Sequence, residues 1–164
     1  MKNNKGFTLV ELLGVIVILS IIMLIAIPNV SSMLERNKRD QYITDAKKMV
    51  TIVQYDIRKG EVDKPAAGEL VKVTLKELST GDLETDADGV SYDEDNSYVV
   101  IVRKNGYLVY YVNLVTKNSD GTYKGIYLTN VEDLDGDTRY EKFSKSISAL
   151  PSNSEIERKK ISTD

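Results

Sequence analysis

Lys5-Gly6-Phe7-Thr8-Leu9-Val10-Glu11-Leu12-Leu13-Gly14, continued by an apolar run to Ile27 and Pro28, is the stretch from which the rest of the chain is read. Between Phe7 and Ile27 only Thr8, Glu11, Gly14 and Ser20 interrupt Phe, Leu, Val, Ile, Met and Ala. About twenty such residues in helical conformation span a bilayer core of roughly 30 Å. A carboxylate inside that stretch costs on the order of 2.5–3.5 kcal/mol at mid-membrane and less near the interface, so Glu11 calls for a partner. Lys2 and Lys5 precede the run and acidic residues gather beyond position 60. Positive charge ahead of a span predicts a cytoplasmic N-terminus and an exported bulk.

Composition narrows the function classes. The chain has 164 residues, a formal net charge of −3, no cysteine and no histidine. That length suits one modest domain plus the membrane segment. Without cysteine there are no disulfides and no thiol chemistry; without histidine there are no Ser-His pairs and no imidazole metal ligands. An enzyme is not expected. No basic face with interleaved aromatics stands out, so nucleic acid is not directly indicated as a partner. A secretory signal peptide would have a shorter apolar run ending at a small-residue cleavage site, which Ala26-Ile27-Pro28 does not supply. A plain single-pass anchor fits the length but gives no reason for Gly6 or Glu11.

Lys5-Gly6-Phe7-Thr8-Leu9-Val10-Glu11-Leu12-Leu13 resembles the processing signal of type IV pilins and the related pseudopilins. The resemblance implies that prepilin peptidase cuts after Gly6 and methylates the new amine of Phe7. It further implies that Glu11 is the acidic residue needed for assembly, and that Pro28 kinks the long N-terminal helix. The physics agrees. An ammonium at Phe7 and the Glu11 carboxylate of a neighbour are each costly to leave unpaired in a dry environment, and pairing them removes both penalties and fixes axial register. Methylation keeps the positive charge. Many relatives carry a C-terminal disulfide loop that this chain cannot form, which resembles the pilins of Gram-positive bacteria.

Downstream, Tyr42, Ala46, Met49, Val50, Val53 and Ile57 recur at intervals of three and four, predicting an amphipathic continuation of the helix to about Lys59, with Gly60 as its stop. No heptad pattern is sustained, so a lone coiled coil is not expected. Val71 to Leu78 reads as either a short strand or a helical turn; the capping-box spacing Thr74-Leu-Lys-Glu77 favours a short helix from Leu75 to Thr80 closed by Gly81. The acidic stretch Asp82 to Asn96 reads as a solvated surface loop. Ser97 to Lys104 and Tyr107 to Leu114, joined by Asn105-Gly106, form the clearest hairpin, and Tyr123 to Thr129 supplies a third strand.

Both faces of the first two strands are apolar. Tyr98, Val100 and Val102 alternate with Val99 and Ile101, so one face should meet the helix. The other needs cover from the C-terminal segment or a neighbouring subunit. Arg139 to Leu150 places Tyr140, Phe143, Ile147 and Leu150 at helical spacing, and the end beyond Pro151 reads as frayed or weakly helical. The acidic stretch Asp82 to Asn96 offers clustered carboxylates to calcium as the alternative to a solvated loop, and Asp133, Asp135 and Asp137 are the weak candidate metal ligands of the tail. They fail the EF-hand template, so an Asp-rich turn is expected rather than calcium, and no cofactor is expected.

The expected fold class is α+β: a long N-terminal helix packed on a small antiparallel β-meander. The expected organisation is a cleaved basic leader over 1–6, a transmembrane and filament-core helix over 7–28, and its amphipathic continuation over 29–60. A globular domain over 61–150 and a polar tail over 151–164 complete it. The expected function is a structural subunit of a type IV pilus-like filament. Its partners would be prepilin peptidase, other pilin subunits, membrane lipid and the membrane assembly platform. It would be a single-pass membrane protein with an extracytoplasmic domain, then part of a cell-surface filament. The alternatives are a pseudopilin of a type II secretion or competence DNA-uptake system, or a non-assembling membrane-anchored binding protein.

Overall fold

A computed structural model describes residues 6–78 and 83–160, the Pro28 side chain excepted. The first helix, α1, runs from Leu9 to Lys59 and its assignment continues through position 28. Two compact units divide the chain between Asn37 and Lys38, so α1 contributes to both. In the first unit the large apolar side chains from Phe7 to Leu34 are exposed.

The second unit is the last part of α1 laid on a five-stranded antiparallel sheet. The strands are β1 (Leu70–Thr74), β2 (Tyr98–Lys104), β3 (Tyr107–Lys117), β4 (Tyr123–Asn130) and β5 (Phe143–Ile147), side by side in chain order. The expected α+β class and meander are what the chain adopts. Asn105 (φ 49°) and Gly106 (φ 87°) make the tight turn between β2 and β3, the left-handed pair that a two-residue hairpin requires.

The alternation read in β2 decides the packing. Val99 and Ile101 face α1 and join Tyr42, Ala46, Met49, Val50 and Val53 in the main core with Val112, Leu114 and Ile126. Tyr98, Val100 and Val102 face the other way with Tyr111 and Leu128. Ile156 covers that second cluster from a short helix, α2 (Asn153–Arg158), so the chain's own C-terminal segment supplies the cover. Frayed or weak helix is thus too pessimistic for residues 153–158. Ser152 and Glu155 form a reciprocal capping box, and Tyr127 donates to Glu155 at 3.0 Å, tying α2 to β4.

Three other expectations need correcting. Leu70–Thr74 is a strand on the edge of the sheet and Leu75–Leu78 is a turn directly after it, so both readings of that stretch occur in series. Glu77 does accept from the Thr74 amide (2.7 Å) and hydroxyl (2.8 Å), but the proposed end of that helix at Thr80 and Gly81 lies outside the described residues. Arg139–Leu150 is not helical as a unit. A 3₁₀ turn over Asp137–Lys142 gives way at Phe143 to β5, where the free edge of β4 supplies hydrogen-bond partners that outweigh the helical spacing of the aromatics. The third correction, the acidic stretch, belongs with the site below.

The β3–β4 ladder contains a bulge. Val112 pairs with Thr129 and Leu114 with Ile126, leaving Asn113 opposite both Tyr127 and Leu128. Leu128 takes φ 35°, and the fully buried Asn113 side chain accepts its N–H at 3.2 Å and donates to the Asn96 carbonyl at 2.7 Å. One residue pair further along, Gly125 (φ 147°) lies so close to β3 that a Cβ would sit 2.0 Å from the Leu114 carbonyl oxygen. Gly125→Ala is therefore expected to cost about 2–3 kcal/mol, since backbone rather than a flexible side chain must move. A lowered midpoint with unchanged slope in denaturant unfolding is the expected readout.

Candidate functional site: the helix start and its single carboxylate

Residues 6–8 lead into the helical stretch 9–27, and among the described residues nothing covers its apolar side chains. Phe7 is 92 % exposed and Leu9 83 %. Among the described residues α1 is the one helix long and apolar enough to cross a membrane, by length and composition. Its start is built by a capping box that the sequence reading overlooked. Thr8-Leu9-Val10-Glu11 has the Thr-x-x-Glu spacing. The Thr8 amide and hydroxyl both donate to Glu11 Oε2 at 2.8 Å, the Glu11 amide donates to the Thr8 hydroxyl at 3.3 Å, and the Leu12 amide reaches the Thr8 carbonyl at 3.2 Å.

Glu11 is thus oriented by its own chain. Both Thr8 bonds fall on one carboxylate oxygen, and Oε1 has no hydrogen-bond partner among the described residues. The negative charge also lies in the first turn, where free amide groups and the helix dipole favour it. Thr8→Ala is expected to loosen this first turn by about 0.5–2 kcal/mol, seen as faster amide exchange at Glu11 and Leu12 in micelles, with the remainder of α1 unchanged.

The predicted site residues are distributed as follows. Gly6 and Phe7 are exposed just ahead of α1, while the basic leader residues before Gly6 lie outside the described residues. Position 28 lies within α1. Asp133 lies 3.7 Å from the Lys142 ammonium, and Asp135 accepts from Lys47 of α1. Asp137 opens the 3₁₀ turn that precedes β5. Among the described residues no three carboxylates converge on a point that could hold a metal.

The acidic stretch is only partly a solvated loop. Asp86 is 4 % exposed and forms the centre of a polar clasp on α1. Its Oδ1 accepts the amides of Asp88 (2.9 Å) and Val90 (3.0 Å). Its Oδ2 accepts the Tyr42 hydroxyl (2.9 Å) and pairs with the Lys124 ammonium (2.6 Å). Because Tyr42 donates to Asp86, the Thr116 hydroxyl 2.7 Å away donates to Tyr42. Asp88 adds ion pairs to Lys38 (2.8 Å) and Lys124 (3.0 Å), and Tyr92 donates to Asp45 at 2.7 Å. Burial pushes the Asp86 carboxyl up, but Lys124, the Val90 amide, Tyr42 and the Asp88 amide together outweigh it and hold it below the usual carboxylate range. Burial likewise pushes Lys124 down, and its two aspartates more than restore it. An alternating acidic and polar sequence carries no sign of such a centre, because the side chains that pair with Asp86, Lys124 and Tyr42, lie 38 and 44 residues away.

An exposed apolar helix with one oriented carboxylate at its start, continuous with the helix of a small α+β unit, suggests a membrane-anchored precursor. Residues 1–27 match the family model described as the prokaryotic N-terminal methylation motif, the signature of type IV pilins and pseudopilins. That signature supports a type IV pilin- or pseudopilin-like precursor, and the motif implies processing by prepilin peptidase and assembly with other pilin subunits in general. No curated protein and no solved structure matches it.

Proposed function

We propose that this chain is the structural subunit of a type IV pilus-like filament. Inserted through its N-terminal helix, it is cleaved after Gly6, methylated at Phe7 and extracted into a filament whose core is made of the apolar segments. The observation that carries this reading is the first unit itself: an apolar surface exposed on every side of a helix, with one carboxylate held at its end. Lipid hydrocarbon satisfies the apolar surface but offers Glu11 no cation. A neighbouring subunit satisfies both, since its Phe7 ammonium can approach the free Oε1 while Thr8 keeps Oε2 occupied. Pro28 would loosen α1 where it leaves the membrane, by removing one backbone donor. The second unit faces the outside and forms the filament's surface.

Immunogold electron microscopy of cells and sheared material tests the assignment. Label along the length of extended surface filaments is the expected result. Absence of this chain from any surface filament, together with a defect in protein export or DNA uptake on its deletion, would instead make it a pseudopilin.

A further inference from the structure

Beside α2, on the sheet face turned away from α1, lies a pocket of about 320 Å3 between Tyr111, Asn130, Asp133, Lys142 and Lys159. Among the described residues its lining cations, Lys142 and Lys159, outnumber its carboxylates. The Lys159 ammonium stands 4.7 Å from the centre of the Tyr111 ring, and the Lys104 ammonium approaches the same residue, donating to its hydroxyl at 2.8 Å. Among the described residues Asp133 is the one lining carboxylate, half-exposed and a long 3.7 Å from Lys142. Glu155 of α2 is occupied by Ser152 and Tyr127. The consequence shows in Lys159, whose ammonium is pushed below its ordinary range by partial burial and then by Lys104 and Lys142, with Asp133 and Glu155 too weak to restore it. The pocket is walled by strained backbone, since Leu128 holds its φ of 35° there against the preference of a branched side chain.

Partly buried ammonium groups that repel one another in a polar recess favour an anion that can accept from several donors at once. We propose that this pocket is an oxyanion site that takes a phosphate-type group between the ammoniums of Lys142 and Lys159. The volume accommodates one such group and a small substituent, not an extended polymer. A bound oxyanion offsets the repulsion between the lysines and displaces Asp133 from Lys142. Neither effect depends on whether the chain forms filaments. The phosphate-type group could be carried by a soluble phosphate or by a phospholipid headgroup.

Full-length 15N-labelled protein in neutral detergent micelles, titrated at constant ionic strength, tests the site. One arm adds inorganic phosphate, the other short-chain phosphatidylglycerol against phosphatidylcholine. Saturable shifts of the Asn130, Lys142 and Lys159 amides are expected, with a dissociation constant of roughly 1 mM or below. Response to phosphate assigns a soluble ligand; response to phosphatidylglycerol alone assigns a headgroup. Lys142→Gln and Lys159→Gln should each weaken binding roughly tenfold, whereas Lys64→Gln, the same charge change on the connection before β1, should not. Asp133→Asn removes the competing carboxylate and should tighten binding several-fold, which guards against loss through misfolding. Chloride producing the same shifts, equal weakening by Lys64→Gln, or no saturation by either probe up to about 10 mM would overturn the proposal.

Discussion

Glu11→Ala is expected to leave the protein in the membrane at normal abundance and to remove it from sheared surface filaments. Insertion depends on the apolar run from Phe7 to Ile27, which the substitution makes more apolar still. In the proposed filament, assembly depends on a partner for the Phe7 ammonium. Leaving one member of a desolvated pair alone costs about 3–5 kcal/mol, which at every added subunit is a factor of hundreds or more in the association constant. Glu11→Gln keeps an oxygen that can accept from Thr8 but loses the charge, so it should restore the helix start without restoring filaments. Immunoblots of the membrane and sheared fractions separate the two effects. Equal recovery of the Glu11→Ala protein in the sheared fraction would defeat the charge-pair account.

Asp86→Ala is expected to be the most damaging single change in the second unit, at about 3–5 kcal/mol. It leaves the Lys124 ammonium without its closer aspartate and removes the acceptor from Tyr42 and from two backbone amides. The pH dependence follows from the same contacts. The folded-state value of Asp86 lies below its unfolded value, so its contribution is complete above the unfolded carboxylate range and is lost as pH falls through the depressed folded value. Thermal unfolding in micelles should therefore show wild type losing stability into acid, with a flatter acid limb in Asp86→Ala. A double-mutant cycle with Lys124→Met should return a coupling well above the sub-kcal values of exposed pairs. A sum of independent losses would mean that the clasp is surface decoration.

The parts of this fold that could be read from the residues are those set by short-range periodicity. Tyr42 to Ile57 declares the buried stripe of α1, Asn105-Gly106 declares the hairpin, and the alternation of Tyr98 to Val102 declares two covered faces. β5 escapes because Tyr140, Phe143 and Ile147 fit a helical spacing equally well, and only the free edge of β4 decides between them. β1 is ambiguous for the same reason, as an edge strand joined to a capped turn. The clasp around Asp86 was hidden because its chemistry comes from Tyr42, Thr116 and Lys124, three positions that share nothing in the chain and meet only when α1, β3 and β4 are packed. At the helix start the motif residues are local, so Gly6, Phe7 and Glu11 are read as candidates directly from their spacing, within the stretch that matches the methylation motif. Thr8 was equally legible by its spacing to Glu11, and its role as the residue that orients the carboxylate is what the structure adds.

Intact-mass and N-terminal peptide mass spectrometry of this protein, recovered from sheared filaments of cells with active prepilin peptidase, addresses the central claim most directly. A chain that begins at Phe7, lacks Met1 to Gly6 and carries one methyl group on its amine is the predicted result. A filament-borne chain that retains Met1 would contradict it, because the Phe7 ammonium that Glu11 is held to receive would never have been made.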